Sequence, residues 1–203
     1  MSLRITLLAI PPVLPLIQSD LGLGATPAAT LTNLPVLLLT PAPLFGSLSI
    51  ARLGARGTIL GGLLLVAVAG ALRGAGASVV VLFAMTFVMG LAIAAVQPVM
   101  PTLAQDWHPE ETGLATATYV NGLLVGEVLS VSLTLPVALP LTGSWEASLA
   151  VWSLPVALTV GLLLRKKRWT HADVPDREGW WPNWRNRRIW QLGLMQGGAS
   201  ALY

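Results

Sequence analysis

The 203-residue chain contains no cysteine and only two histidines. The first absence excludes disulfides, thiolate metal sites and cysteine nucleophiles. His108 and His171 both sit in polar connectors. Neither has a second ligand at helical spacing, so no metal site is expected. Charge is scarce as well. Asp, Glu, Lys and Arg make up 10% of the residues, against about 25% in a soluble globular domain. Eight of the twelve Lys and Arg lie between Arg165 and Arg188. The pI near 10.0 therefore describes one basic segment. It does not describe a basic face for nucleic acid, and no nucleic-acid partner is expected. A Gly-rich phosphate loop is missing, as is a nucleophile paired with a base, so neither an enzyme nor a cofactor is expected. A signal peptide is not expected either, because three prolines interrupt the first apolar run and no small-residue cleavage pattern follows.

What is abundant is apolar surface. Hydrophobic residues form 54% of the chain, and the mean hydropathy is +0.71. A bilayer core about 30 Å thick needs roughly 20 apolar residues per crossing helix. Six apolar runs approach that length: 3–17, 31–50, 58–72, 79–103, 113–139 and 147–164. A basic, Trp-rich stretch follows, and a further apolar run begins at Ile189. The expected fold is an all-α polytopic membrane protein with the lipid bilayer as its solvent. Residues 1–164 form a six-helix transmembrane bundle, 165–188 a cytoplasmic linker, and 189–203 the truncated start of a seventh helix.

Prolines stand inside the runs at positions 12, 15, 35, 98, 101 and 136. In a water-exposed helix interior each would cost about 3 kcal/mol. A membrane bundle tolerates them because neighbouring helices re-satisfy the freed carbonyls. Small residues at four-residue spacing, Gly90 with Ala94 and Gly122 with Gly126, suit close helix packing.

Lys and Arg in the loops set orientation. Arg52 and Arg56 follow the second run, and Arg165, Lys166, Lys167 and Arg168 follow the sixth. Both groups lie on one side when the N-terminus is cytoplasmic, which makes this a multi-pass protein of the cell membrane. Arg73 is the exception, one arginine at an outer helix end, and reads as an interface anchor. The segment "GWWPNWRNRRIW" reads as an interfacial linker, since Trp favours the headgroup level.

Two stretches align without a gap. "AIPPVLPLIQSDL" ends the first run and "AVQPVMPTLAQDW" ends the fourth. Pro12 and Pro15 match Pro98 and Pro101, and Asp20 matches Asp106. With three spans between them the copies run in opposite directions, the mark of a 3+3 inverted-topology repeat.

Several polar groups stand out within the spans. Glu127 lies fourteen residues into the fifth run, about 20 Å along a helix. A carboxylate at that depth is paired, wet or protonated, and proton coupling is set against a local polar contact between helices. Asn33, Gln97, Tyr119 and Asn121 are candidates for lining a solute cavity, or for bonding neighbouring helices.

The segments "LRITLLAIPPVLPLIQSDLGLG", "TLTNLPVLLLTPAPL", "ARLGARGTILGGLLLVAVAGALRG", "MGLAIAAVQPVMPTL", "GLATATYVNGLLVGEVL" and "WEASLAVW" resemble the cyanate-permease-like branch of the major facilitator superfamily. "IWQLGLMQGGASALY" resembles its seventh helix. The likeness runs along nearly the whole chain and covers the N-terminal half of such a transporter. It implies secondary active transport of a small anion or small polar solute, with protons as coupling ion. It also implies anion binding by Arg4, set against a plain cytoplasmic anchor at that position, and a gating loop carrying Arg52, Gly54 and Arg56. Ser47 and Ala51 stand where that loop usually has glycine and an acid. The expected partner is the missing C-terminal half. The alternatives are a self-contained homodimeric carrier made of two copies, a non-functional truncated fragment, and a membrane-embedded enzyme or channel.

Overall fold

A computed structural model describes residues 5–39, 42–75, 78–107, 109–165 and 191, with the backbone alone for 42–45 and 106–107. All regular structure among the described residues is helical. Helices α1 (Ile10–Leu21), α2 (Ala25–Leu39), α3 (Ala42–Leu72), α4 (Val79–Val96), α5 (Val99–Trp107) and α6 (Thr112–Leu133) follow in order. A π-helical turn (Thr134–Ala138) carries α6 into α7 (Leu139–Thr142), and α8 (Trp145–Val151) and α9 (Leu154–Arg165) complete the described chain.

Among the described residues four segments are long and apolar enough to cross a membrane: Gly46–Leu72, Val79–Gln105, Thr112–Thr142 and Trp145–Arg165. The last three match the fourth to sixth apolar runs, whereas the first joins the end of the second run to the third through the connector with Arg52 and Arg56. The first two runs are built differently. Residues 6–9 form a turn, and only then does the 12-residue α1 begin. Prolines explain the restart. Pro11 and Pro12 occupy its first turn, where a missing N–H costs nothing to the helix that follows. They supply no donor to the turn before it. The run 31–50 is divided between α2, of 15 residues, and the start of α3. Arg165, expected as the first linker residue, is the last residue of α9. The rest of the linker and the seventh run, apart from residue 191, lie outside the described residues.

Helix α3 is two helices in one. Gly54, at φ 70 and ψ 168, interrupts it. That backbone conformation is essentially restricted to glycine. The Thr58 hydroxyl donates to the Gly54 carbonyl at 2.8 Å and covers the exposed end. Further along, Pro136 is absorbed by the π-helical turn. The Leu139 N–H reaches back five residues to the Thr134 carbonyl, so the ladder passes around the proline.

Two cores hold the helices. In the first, Leu63 and Val66 of α3 meet Met89 and Val96 of α4 and Val156 of α9. In the second, Ile10 and Val13 of α1 pack with Leu31, Leu82, Trp145 and Leu149. Glycine sets the spacing between helices, as close packing in lipid requires. A Cβ at Gly62 would collide with Val96 Cγ2, and one at Gly90 would lie 2.6 Å from Leu38 Cδ1.

Replacing Gly54 by alanine is expected to destabilise the protein by about 1–3 kcal/mol, the cost of holding a side chain in that backbone region. Gly61, in the same helix, has open space where a Cβ would stand. Gly61→Ala is expected to be neutral or slightly stabilising. Thermal unfolding of both variants in one detergent checks the contrast.

Candidate functional site

The expected site residues within the described part are spread over four places, α2, α3, the end of α4 and α6. Arg4 lies outside the described residues. Asn33 is exposed on α2, and its amide nitrogen donates to the Ala29 carbonyl of its own helix at 2.8 Å. Gln97 is half-buried where α4 stops, and its N–H bonds the Ile93 carbonyl at 2.9 Å. Pro98 follows it and stands against Gly46 of α3, where a Cβ would overlap the proline ring.

Tyr119, Asn121 and Glu127 all lie on α6, but they do not share a face. At about 100° per residue, a spacing of two puts Tyr119 and Asn121 on nearly opposite sides. Burial agrees, since Tyr119 and Glu127 are half-buried and Asn121 is exposed. Asn121 therefore does not join Tyr119 in one cluster. Arg52 and Arg56 are exposed on either side of Gly54. The expected gating loop is thus a one-glycine break within α3.

The most constrained polar group is Arg73, just past the end of α3. An interface anchor would place its guanidinium at the headgroup level. Instead Arg73 is fully buried, and Nη2 donates to the Thr6 carbonyl at 2.6 Å. Burial pushes its pKa down to about 10, which leaves the group cationic at neutral pH. Arg73 turns inward because its neighbours permit close approach. A Cβ at Gly70 would meet the Ser153 hydroxyl, and one at Gly74 would meet the Glu146 carbonyl.

The Thr6 carbonyl belongs to the broken turn before α1, and its neighbour is treated the same way. Ser130 of α6 donates from Oγ to the Ile5 carbonyl at 2.7 Å. Two further bonds link distant segments. Trp145 Nε1 donates to Asp20 Oδ2 at 2.6 Å, and Trp152 Nε1 donates to Thr134 Oγ1 at 2.9 Å. The turn is thereby held from α3 and from α6 at once. Sequence reasoning missed this network. Glycines on both sides of Arg73 were its one visible trace.

Among the described residues no group of three or more His, Cys, Asp or Glu is placed to hold a metal ion.

Comparison with known proteins gives a consistent picture. The model of the Major Facilitator Superfamily matches residues 2–202. The chain is 25% identical over 209 residues to the uncharacterized transporter YycB of Bacillus subtilis (strain 168), covering 100% of this chain and 50% of that protein. It is 27% identical over 212 residues to the cyanate transport protein CynX of Escherichia coli (strain K12), covering 100% of this chain and 54% of that protein. The chain spans about half the length of these curated relatives.

Removing the Ser130 hydroxyl leaves the buried Ile5 carbonyl without its side-chain donor. Ser130→Ala is expected to cost about 1–3 kcal/mol. Ser132→Ala, exposed on the same helix, is expected to change stability by less than about 0.5 kcal/mol. Parallel melting curves of the two variants measure the difference.

Proposed function

The chain belongs to the major facilitator superfamily, and we propose that it forms one lobe of a secondary carrier for a small anion or small polar solute, working by alternating access. The observation that carries this reading is a family match from residue 2 to residue 202, with four membrane-length apolar helices among the described residues. The name of the relative CynX favours cyanate or an anion of similar size.

In this reading residues 1–164 are a bundle of six spans in two inverted triplets. Residues 165–188 link it to a second bundle, which 189–203 begin. The repeat is supported by a helix start close to the paired prolines in both copies: α1 begins at Ile10, two residues before Pro12, and α5 at Val99, one residue after Pro98. The N-terminus is cytoplasmic, by the positive charges after the second and sixth runs, and the protein resides in the cell membrane. For a Gram-negative cell that is the inner membrane.

Arg4 is the anion ligand, because a guanidinium offers fixed paired donors to a planar anion. Asn33 and Asn121 are exposed polar groups on apolar helices. Such groups face a wet cavity or a neighbouring helix in preference to lipid, which suits walls shared with a second bundle. Gln97 and Tyr119 are half-buried and suit the hydrogen-bonding lining, and Glu127 the proton-coupling step. Gly54 between Arg52 and Arg56 supplies the hinge of the gate. The exposed apolar residues of α6, Leu124, Val128 and Val131 among them, leave room for lipid or a second bundle, supplied by a C-terminal half or by another copy.

Uptake of labelled cyanate into proteoliposomes tests this function. Arg4→Gln is expected to lower the initial rate at least tenfold, and Glu127→Gln to remove its dependence on an imposed proton gradient. Rates no higher than those of protein-free vesicles, both for this chain alone and for the chain reconstituted with a C-terminal half, in preparations that still melt cooperatively, overturn the proposed function. The repeat has its own check. Single cysteines at positions 20 and 106 are expected to react with an impermeant thiol reagent from opposite faces of the membrane, and labelling from one face would rule it out.

A further inference from the structure

Arg73 is the largest fully buried side chain among the described residues, and most of its hydrogen-bonding capacity is unused. Nη2 is engaged by the Thr6 carbonyl, whereas Nε and Nη1 have no partner. Each buried donor left unmade costs about 1–3 kcal/mol. No carboxylate among the described residues bonds the guanidinium, and a buried charge without a counter-charge is costly in its own right.

Two hydroxyls nearby are in the same position. Thr6, whose carbonyl holds the guanidinium, has a buried Oγ1 without a partner, and so does Ser153 at Oγ. Both side chains stand against Gly70, one turn before Arg73. A Cβ there would meet Ser153 Oγ and would lie 3.5 Å from the Thr6 methyl, Cγ2. Three segments thus converge: the turn before α1, the end of α3, and the turn between α8 and α9. They contribute one cation, two directed N–H positions and two hydroxyls able to donate.

A water molecule satisfies donors but leaves the charge unbalanced. A small anion does both, because every group on offer donates. Close packing at Gly70 and Gly74 excludes a bulky ligand. We propose that Arg73, Thr6 and Ser153 bind one small inorganic anion, a halide or a planar oxyanion of nitrate size, at a site separate from Arg4 and the α6 residues. Its bound charge neutralises the guanidinium that holds the broken turn, so the anion stabilises the lobe whether or not it is transported.

Melting temperatures of the full chain in detergent, in sodium bromide, nitrate or gluconate at equal ionic strength, test the proposal. Bromide or nitrate at a hundredfold excess over its Kd is expected to raise Tm by roughly 5–10 °C relative to gluconate. Arg73→Gln is expected to abolish the rise. Ser153→Ala removes only an unpartnered hydroxyl. It is expected to melt at or above the wild-type temperature in gluconate and to bind the anion at least threefold more weakly. Arg4→Gln is expected to keep the full response, which separates this site from the transport site. The same Tm in all three salts, meaning ordered water only, overturns the proposal. So does a response that Ser153→Ala leaves intact, or one that Arg4→Gln removes. Should Arg73→Gln not fold, the Ser153→Ala comparison decides alone.

Discussion

The bundle depends on how the carbonyls freed before α1 are satisfied. A backbone carbonyl in a dry, apolar setting must find a donor or cost several kcal/mol. Pro11 and Pro12 have no N–H for the carbonyls four residues back, 7 and 8, and the chain turns over 6–9 instead of continuing a helix. At the start of that turn the Thr6 and Ile5 carbonyls take donors from distant parts of the chain, Arg73 at the end of α3 and Ser130 in α6. Those two bonds make the broken turn a junction. The positions of α3 and α6 relative to the first helix are tied to the same few atoms.

Close packing makes the junction possible. Arg73 is flanked by Gly70 and Gly74, and the helices that meet there leave no room for a Cβ at either position. Lipid gives little hydrophobic drive for helices to associate, so short interhelical distances and interhelical hydrogen bonds carry the packing. The same logic operates between α3 and α4 at Gly62, and between α2 and α4 at Gly90. The tryptophans of the last described span, Trp145–Arg165, add to it. Trp145 reaches Asp20 at the end of α1, and Trp152 reaches Thr134 in the π-helical turn. Each joins an apolar ring to one polar atom, the use for which Trp is suited at a boundary between dry and wet surroundings.

Rocking of the lobe proposed above would need rigid parts and defined breaks. The breaks here are the turn at 6–9, Gly54, the stop at Gln97 and Pro98, and the π-helical turn at Pro136. Each interrupts a helix without leaving it disconnected, because a hydroxyl, an arginine or a lengthened backbone bond spans the gap. Of the polar residues proposed to meet solute, Gln97 stands at one of these breaks, Tyr119, Asn121 and Glu127 lie along α6, and Asn33 lies within α2.

Much of this protein was legible in its residues alone. An apolar content of 54% with 10% charge leaves lipid as the only solvent for the chain. Run lengths located the last three of the four long spans among the described residues but split Gly46–Leu72 between two runs, and the quoted motifs pointed to the superfamily. Proline positions announced that helices would be interrupted, since a missing N–H is a local property. Periodicity and composition do not reveal which distant donor answers a freed carbonyl. Arg73 looked like a surface anchor because its neighbours in sequence are small and its place is a helix end. Only the tertiary structure decides that those small neighbours admit another helix, that the guanidinium turns inward to Thr6, and that Ser130, 125 residues from Ile5, completes the turn. Hydrogen bonds over such separations depend on where helices cross, and that is fixed by side-chain volumes at many positions together.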